Sequence, residues 1–134
     1  MDEFPVALLT DWGGLAGPAI GLHLARAGFS LMINGPEDEV FALQSEDVPG
    51  KILGLPFDAA NEDDVQQVVL AGLEIFGRLD VVVNNFYGWN DAPIAEITPE
   101  MWDEVFRVNV KNTFHCARSV VPVMQAQEFG KIIN

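Results

Sequence analysis

Basic residues are scarce in this 134-residue chain: 7 Lys and Arg stand against 20 Asp and Glu, a net charge of −13. Nucleic acids and anionic membranes are bound through clustered Lys and Arg, so both are excluded as partners, and the acidity reads as a solvated surface. Cysteine is nearly absent. The single Cys116 rules out an internal disulfide and a cysteine-rich zinc site, and no metal is expected; its helical surroundings make it a small core residue. No run approaches the ~18 apolar residues of a membrane span. The start, Met1-Asp2-Glu3, is acidic where a signal peptide is basic, so a cytoplasmic protein is expected.

What is present is the composition of a folded domain, 49% hydrophobic and 20% charged. The length allows a real core, and residues 1–134 are read as one domain with no repeats or linkers. Short apolar runs at Pro5–Thr10, Phe29–Asn34, Lys51–Phe57, Leu79–Val83 and Gly130–Asn134 read as buried strands. The last of these reads as a further central strand, of a kind that crossover helices cover on both faces, but the helix that should follow it is absent and the strand is expected to be uncovered. Between the strands lie helical stretches. Pro18 opens Ala19–Ala27 and Gly28 stops it, Gly35-Pro36 breaks the second strand, and Glu37–Gln44 is a short helix. Asn61 followed by three acids opens a helix that Gly77 ends, and Thr98-Pro99-Glu100 starts a long one running to Met124 with a bend at Pro122. Strand and helix alternate without hairpins. The fold predicted is α/β, a doubly wound parallel sheet of about five strands with right-handed crossovers.

In such a sheet, ligands sit beyond the carboxyl ends of the strands near the switch point. That places Thr10 to Gly17, Asn34-Gly35, Asp58 and Asn84-Asn85 along one edge. The loop holding Gly13, Gly14 and Gly17 runs into a helix amino terminus, which can hold a phosphate through backbone N–H groups or be no more than a tight turn. Asp11 and Asp58 at strand ends also admit a phosphoacceptor receiver. Lys131, however, begins its strand rather than ending it, and Asp11 lacks a neighbouring acid.

The order and spacing of several segments are more specific. Thr10 through Gly17, Asp58, the run Phe76-Gly77-Arg78-Leu79-Asp80-Val81-Val82-Val83-Asn84-Asn85, the Thr98-Pro99-Glu100-Met101-Trp102 helix start, Asn109 and Gly130-Lys131-Ile132-Ile133-Asn134 together resemble the amino-terminal half of a short-chain dehydrogenase/reductase. The resemblance implies a Rossmann-type fold binding NAD or NADP, with hydride transfer at a carbonyl or alcohol. It implies cofactor contacts from Thr10, Asp11, Gly13, Gly14, Gly17 and Asn34. Asp58 and the backbone of Ala59 would meet the adenine, and Asn85 the adenosine side. Asn109, a solvent-facing polar residue on its own reading, would match the helix asparagine whose bent backbone supports a proton-relay water. Association of copies through the helix starting at Thr98 is also implied.

Departures from the family pattern carry their own expectations. The family loop is Thr-Gly-x-x-x-Gly-x-Gly; here Asp11 and Leu15 replace its first two glycines. A leucine Cβ would hold the backbone off a pyrophosphate and a carboxylate would repel it, unless Gly13 and Gly14 shift the turn. Asn-Ala-Gly after the fourth strand is replaced by Asn85-Phe86-Tyr87, bringing two aromatics beside the cofactor's ribose or into an altered loop. Weakened or lost cofactor affinity is expected. Asn34-Gly35-Pro36-Glu37-Asp38 offers no base for a 2′-phosphate, which favours NAD. The family's serine and Tyr-x-x-x-Lys pair have no counterpart: Tyr87 is the one tyrosine, and Asp91 stands four residues on. Without a general acid/base, turnover loses roughly 10²–10⁴-fold, so the chain is expected to be inactive alone. Two alternatives accompany this expectation: a non-enzymatic interaction module, and a piece of a longer enzyme whose carboxyl-terminal half is missing.

Overall fold

The computed structural model describes residues 1, 3–35, 37–44 and 47–134. Asp2 and the strand-breaking Pro36 therefore lie outside the described residues. Five parallel strands form one sheet: β1 (Val6–Leu9), β2 (Ser30–Ile33), β3 (Ile52–Gly54), β4 (Val81–Val83) and β5 (Lys131–Ile133). Their spatial order is β3-β2-β1-β4-β5, so the chain winds outward from β1 in one direction and returns to wind in the other from β4. The switch point falls between β1 and β4, which pair Ala7 with Val81 and Leu9 with Val83. The strands are shorter than the apolar runs that announce them. Thr10, Asn34 and Asn84 lie just past the carboxyl ends, and their N–H groups still donate to the Val83, Leu9 and Ile133 carbonyls of the neighbouring strands at 3.1, 2.9 and 2.8 Å.

Alternation along the strands divides the core in two. Ala7, Leu9, Leu31 and Ile33 face α1 (Gly17–Arg26) and α2 (Glu37–Gln44), while Val6, Leu8, Met32 and Val82 face α3 (Glu62–Phe76) and α5 (Asn112–Ala126). The helix ends follow local chemistry. Asn61 accepts from the Asp63 N–H at 3.1 Å, three acids fill the first turn of α3, and Gly77 closes it in the left-handed region at φ 73°. Asp80, buried before β4, accepts from the Val6 N–H at 2.8 Å and pairs with both Nε and Nη2 of Arg78, tying β1 to β4 at the end opposite the loops. Cys116 is fully buried.

Two expectations are corrected. The long helix is unbroken but not regular: α4 (Pro99–Phe106) passes through a π turn at Arg107–Lys111, where the Asn112 N–H reaches back five residues to the Arg107 carbonyl, and continues as α5. The irregularity thus precedes Pro122, which lies inside α5. And β5 is not a central strand. It is the edge strand beside β4, with Ile132 packed toward α5 and Ile133 51% exposed on the other face.

Candidate functional site

Thr10 ends β1 fully buried, and its hydroxyl links two loops: it donates to the Val83 carbonyl at 3.2 Å and accepts from the Asn85 N–H at 2.9 Å. Asn85 returns the tie, its Nδ2 donating to the Asp11 carbonyl at 3.2 Å. The loops after β1 and β4 are therefore held side by side at the switch point. A third tie runs to β2, where the Trp12 N–H donates to the Asn34 carbonyl at 2.8 Å. The Asn34 side chain in turn accepts from the Phe57 N–H at 3.2 Å, which fixes the segment carrying Asp58.

These ties frame a groove of about 380 Å³ beyond the strand ends, with Asp11, Gly13, Asn34, Asp58 and Ala59 among its lining residues. Of the positions the sequence marks, those five line it, Thr10 lies beneath it, and Gly14, Gly17 and Asn85 shape its loops. Gly35 and Phe86, which the sequence also places at this edge, line it too, and Arg107, Val108 and Asn112, from the π turn and the start of α5, add walls the sequence does not announce. Phe86 packs against Ala59, Val65 and Cys116, while the Tyr87 side chain is exposed, so the two aromatics part company.

One end of the groove suits a base. Asp58 Oδ1 accepts from the Ala60 N–H at 2.9 Å, and the Ala59 carbonyl is held 2.9 Å from His115 Nδ1. Because a carbonyl only accepts, that ring nitrogen carries the proton. Asn112 is 7% exposed, and its Oδ1 is buried with no hydrogen-bond partner. A buried carboxamide oxygen left without a donor costs free energy that a ligand can recover. The Arg107 guanidinium makes two 2.7 Å bonds to Glu104, which raise it above its ordinary range, with Asp58 adding to the effect.

The other end does not suit a diphosphate. Gly13 and Gly14 do not shift the turn; instead Asp11 itself takes the left-handed conformation, at φ 51°. Its carboxylate overlies Gly14, where an added Cβ would lie 3.0 Å from Oδ2. Burial raises the Asp11 pKa, and the backbone N–H of Tyr87 opposes the rise. Some of the loop's own donors are spent, Gly14 N–H on the Asp11 carbonyl, Gly17 N–H on the Gly14 carbonyl and Trp12 N–H on Asn34, and Pro18 has none, which leaves the N–H groups of Gly13, Leu15 and Ala16. Leu15, 97% exposed, stands out from the turn. The Asp11 carboxylate at this end is a poor neighbour for the diphosphate of a dinucleotide.

Trp12 explains how this loop is built. The indole is buried, packed in the core on the α1 face, and two glycines make room for it: a Cβ on Gly21 would come within 2.5 Å of its Cζ3, and one on Gly35 would collide with its Cβ. Asn109 stands apart from the groove and is not solvent-facing. Half-buried in the π turn, it donates to the carbonyls of Gly88 and Val105 at 2.6 and 2.8 Å and accepts from the Gly88 N–H at 3.2 Å. The π turn alters the use of its backbone carbonyl, which accepts from the Thr113 hydroxyl at 2.8 Å. Among the described residues no cluster of three or more His, Cys, Asp and Glu could hold a metal ion, and no helix is long and apolar enough to cross a membrane.

Residues 6–134 match the family model described as short chain dehydrogenase. The chain is 33% identical to the peroxisomal hydratase-dehydrogenase-epimerase of Neurospora crassa, over 96% of this chain and 14% of that protein. It is 31% identical to the 3-oxoacyl-[acyl-carrier-protein] reductase FabG of Thermotoga maritima, over 98% of this chain and 55% of that protein. Among solved structures, a short chain dehydrogenase from Bacillus anthracis superposes with a TM-score of 0.86 at 27% identity, over 97% of this chain and 56% of that one. The chain thus spans about half the length of the reductase and of the solved structure.

Proposed function

The chain belongs to the short-chain dehydrogenase family, and from that membership we propose that it is the cofactor-binding part of an NAD(P)-dependent oxidoreductase acting at a carbonyl or alcohol. On this reading residues 1–134 form one dinucleotide-type domain whose groove keeps the adenosine end of the ancestral site. The observation that carries it is the convergence of Asp58, Ala59 and the partnerless Asn112 carboxamide at the carboxyl edge of the sheet, beside the switch point. The 3-oxoacyl reductase among its relatives supports chemistry at a carbonyl.

No residue in the groove supplies a general acid for that chemistry. The 134 residues contain no Tyr-x-x-x-Lys pair, and Asn109 is engaged with Gly88 rather than with the groove. Its part is to hold the loop after β4 in place and to present the backbone of the π turn. The polypeptide alone therefore binds and does not turn over. Asn34-Gly35 brings no cation to the ribose edge, which favours NAD over NADP. A cytoplasmic setting accords with this chemistry.

Saturation-transfer NMR with adenosine, NADH and NADPH tests the reading. Adenine protons are expected to receive saturation from the protein, and Asn112→Ala to weaken the effect. No transfer from any of the three would sink it. NADH oxidation driven by a carbonyl compound, if catalysed by this polypeptide alone, would contradict the second half.

Association is the second element, and one feature favours it. Trp102, Phe106, Val110 and Phe114 expose an apolar stripe along α4, the π turn and α5, with Glu100, Asp103 and Glu104 at one end and Arg107 and Lys111 toward the other. A second copy laid antiparallel would set acids against bases across the stripe. Sedimentation of the wild type and of Val110→Asp checks it: a dimer lost in the variant is expected, and a wild-type monomer at high concentration refutes it.

A further inference from the structure

We propose that the groove is an adenine-nucleoside site from which Asp11 turns away a 5′-diphosphate. The inference rests on the adenosine reading above and narrows the ligand class. Two independent observations meet in it. At the base end, the Asn112 carboxamide is more than nine-tenths buried, lines the groove, and has an oxygen without a donor. A carboxamide pairs with adenine by accepting from the exocyclic amine while its own N–H₂ donates to a ring nitrogen, so this end recognises a neutral base by shape and hydrogen bonding.

At the phosphate end, the features that draw anions to the start of a helix are opposed by a carboxylate. The N–H groups of Gly14 and Gly17 are consumed inside the loop, and the loop carries a carboxylate over Gly14. The conformation of Asp11 is one that glycine adopts freely and other residues seldom do, so the position demands a reason for its side chain. That side chain lines the groove, and the only cation among the lining residues, Arg107, is bidentate to Glu104. A ligand that ends at the ribose meets none of this. One that continues into two phosphates brings negative charge toward a carboxylate with no cation between them.

Calorimetric titration of the 134-residue chain with adenosine, ADP and NADH at neutral pH, in wild type, Asp11→Gly and Asp11→Asn, tests the proposal. Wild type is expected to bind adenosine better than ADP or NADH by about tenfold or more, the scale of one close like-charge contact. Both variants should gain affinity for ADP and NADH by a similar factor while adenosine binding stays put. Asp11→Asn keeps the shape and tolerates the left-handed backbone, so it guards against a folding artefact. ADP or NADH binding the wild type as tightly as the variants, with adenosine also bound, overturns this proposal alone. Adenosine failing to bind any of the three proteins overturns the adenosine reading, and this one with it.

Discussion

Removal of the Trp12 indole is the most direct test of how the groove is built. The side chain is 5% exposed, and truncating a buried tryptophan to alanine costs about 3–5 kcal/mol. A domain of this kind has roughly 5–15 kcal/mol in total, so Trp12→Ala is expected to remain folded but to lose a large share of its stability. The more discriminating measurement adds Gly21. Gly21→Ala alone drives a Cβ to within 2.5 Å of Trp12 Cζ3. Overpacking of that sort costs about 1–3 kcal/mol, against about 0.8–1 kcal/mol gained from replacing glycine inside a helix. The net effect in wild type is destabilising by up to about 2 kcal/mol. With the indole gone the collision is gone, and the same substitution should stabilise by about 1 kcal/mol. Urea unfolding of the four proteins, followed by far-UV circular dichroism so that the loss of a tryptophan does not disturb the signal, gives the cycle. The sign of Gly21→Ala must reverse between the two backgrounds. If it does not, or if Trp12→Ala costs under about 1 kcal/mol, the indole is not wedged between α1 and Gly35 and this account of the loop is wrong.

Asp80→Ala should lose about 2–4 kcal/mol in the same assay, because it leaves the buried Val6 N–H without its acceptor and removes both Arg78 bonds to Asp80; Asp80→Asn, which keeps an acceptor for Val6, should lose less. Cys116 is fully buried and its thiol is pushed up to about 12 by burial, so Ellman's reagent should leave native protein unmodified and react once urea unfolds it. Asp11→Asn tests the cost of burying that carboxylate. The folded Asp11 holds its proton more tightly than the unfolded chain does, so its ionisation erodes stability as pH rises from about the ordinary 3.8 through the higher folded value. The variant's melting temperature should therefore gain on the wild type between pH 3.5 and pH 7, and a gap that narrows over that range would contradict the burial.

The alternation of five apolar runs with helical stretches specified the architecture, because period and punctuation are local properties. Asn61 with its acids, Thr98-Pro99 and Gly77 marked helix ends for the same reason: caps are written within four residues. The site was legible only in outline. Thr10, Asn34, Asp58 and Asn85 stand at strand ends and follow from topology. Trp12 did not reveal itself as a core residue, since the room for it comes from Gly21 on one element and Gly35 beyond another. Arg107 and Asn112 escaped because their facing depends on the π turn, and nothing in Arg107-Val108-Asn109-Val110-Lys111 marks one. The central place expected of β5 followed from an apolar run alone, and composition cannot say whether a strand lies at a sheet's edge.

The π turn also governs helical phase. Trp102, Phe106, Val110 and Phe114 recur at strict intervals of four, and on a regular helix of 3.6 residues per turn each interval advances the side chain by about 40°, or about 120° over the three. Such a row would spiral off any flat partner. A single wide turn in its middle absorbs about one residue's rotation, on the order of 100°, and so brings Phe114 back into line with Trp102. The row behaves as a straight rail laid across two helical segments, and its straightness is stored in one backbone irregularity rather than in any side chain. Shortening the Arg107–Lys111 turn by one residue would leave every apolar group in place in the chain and still twist the rail apart.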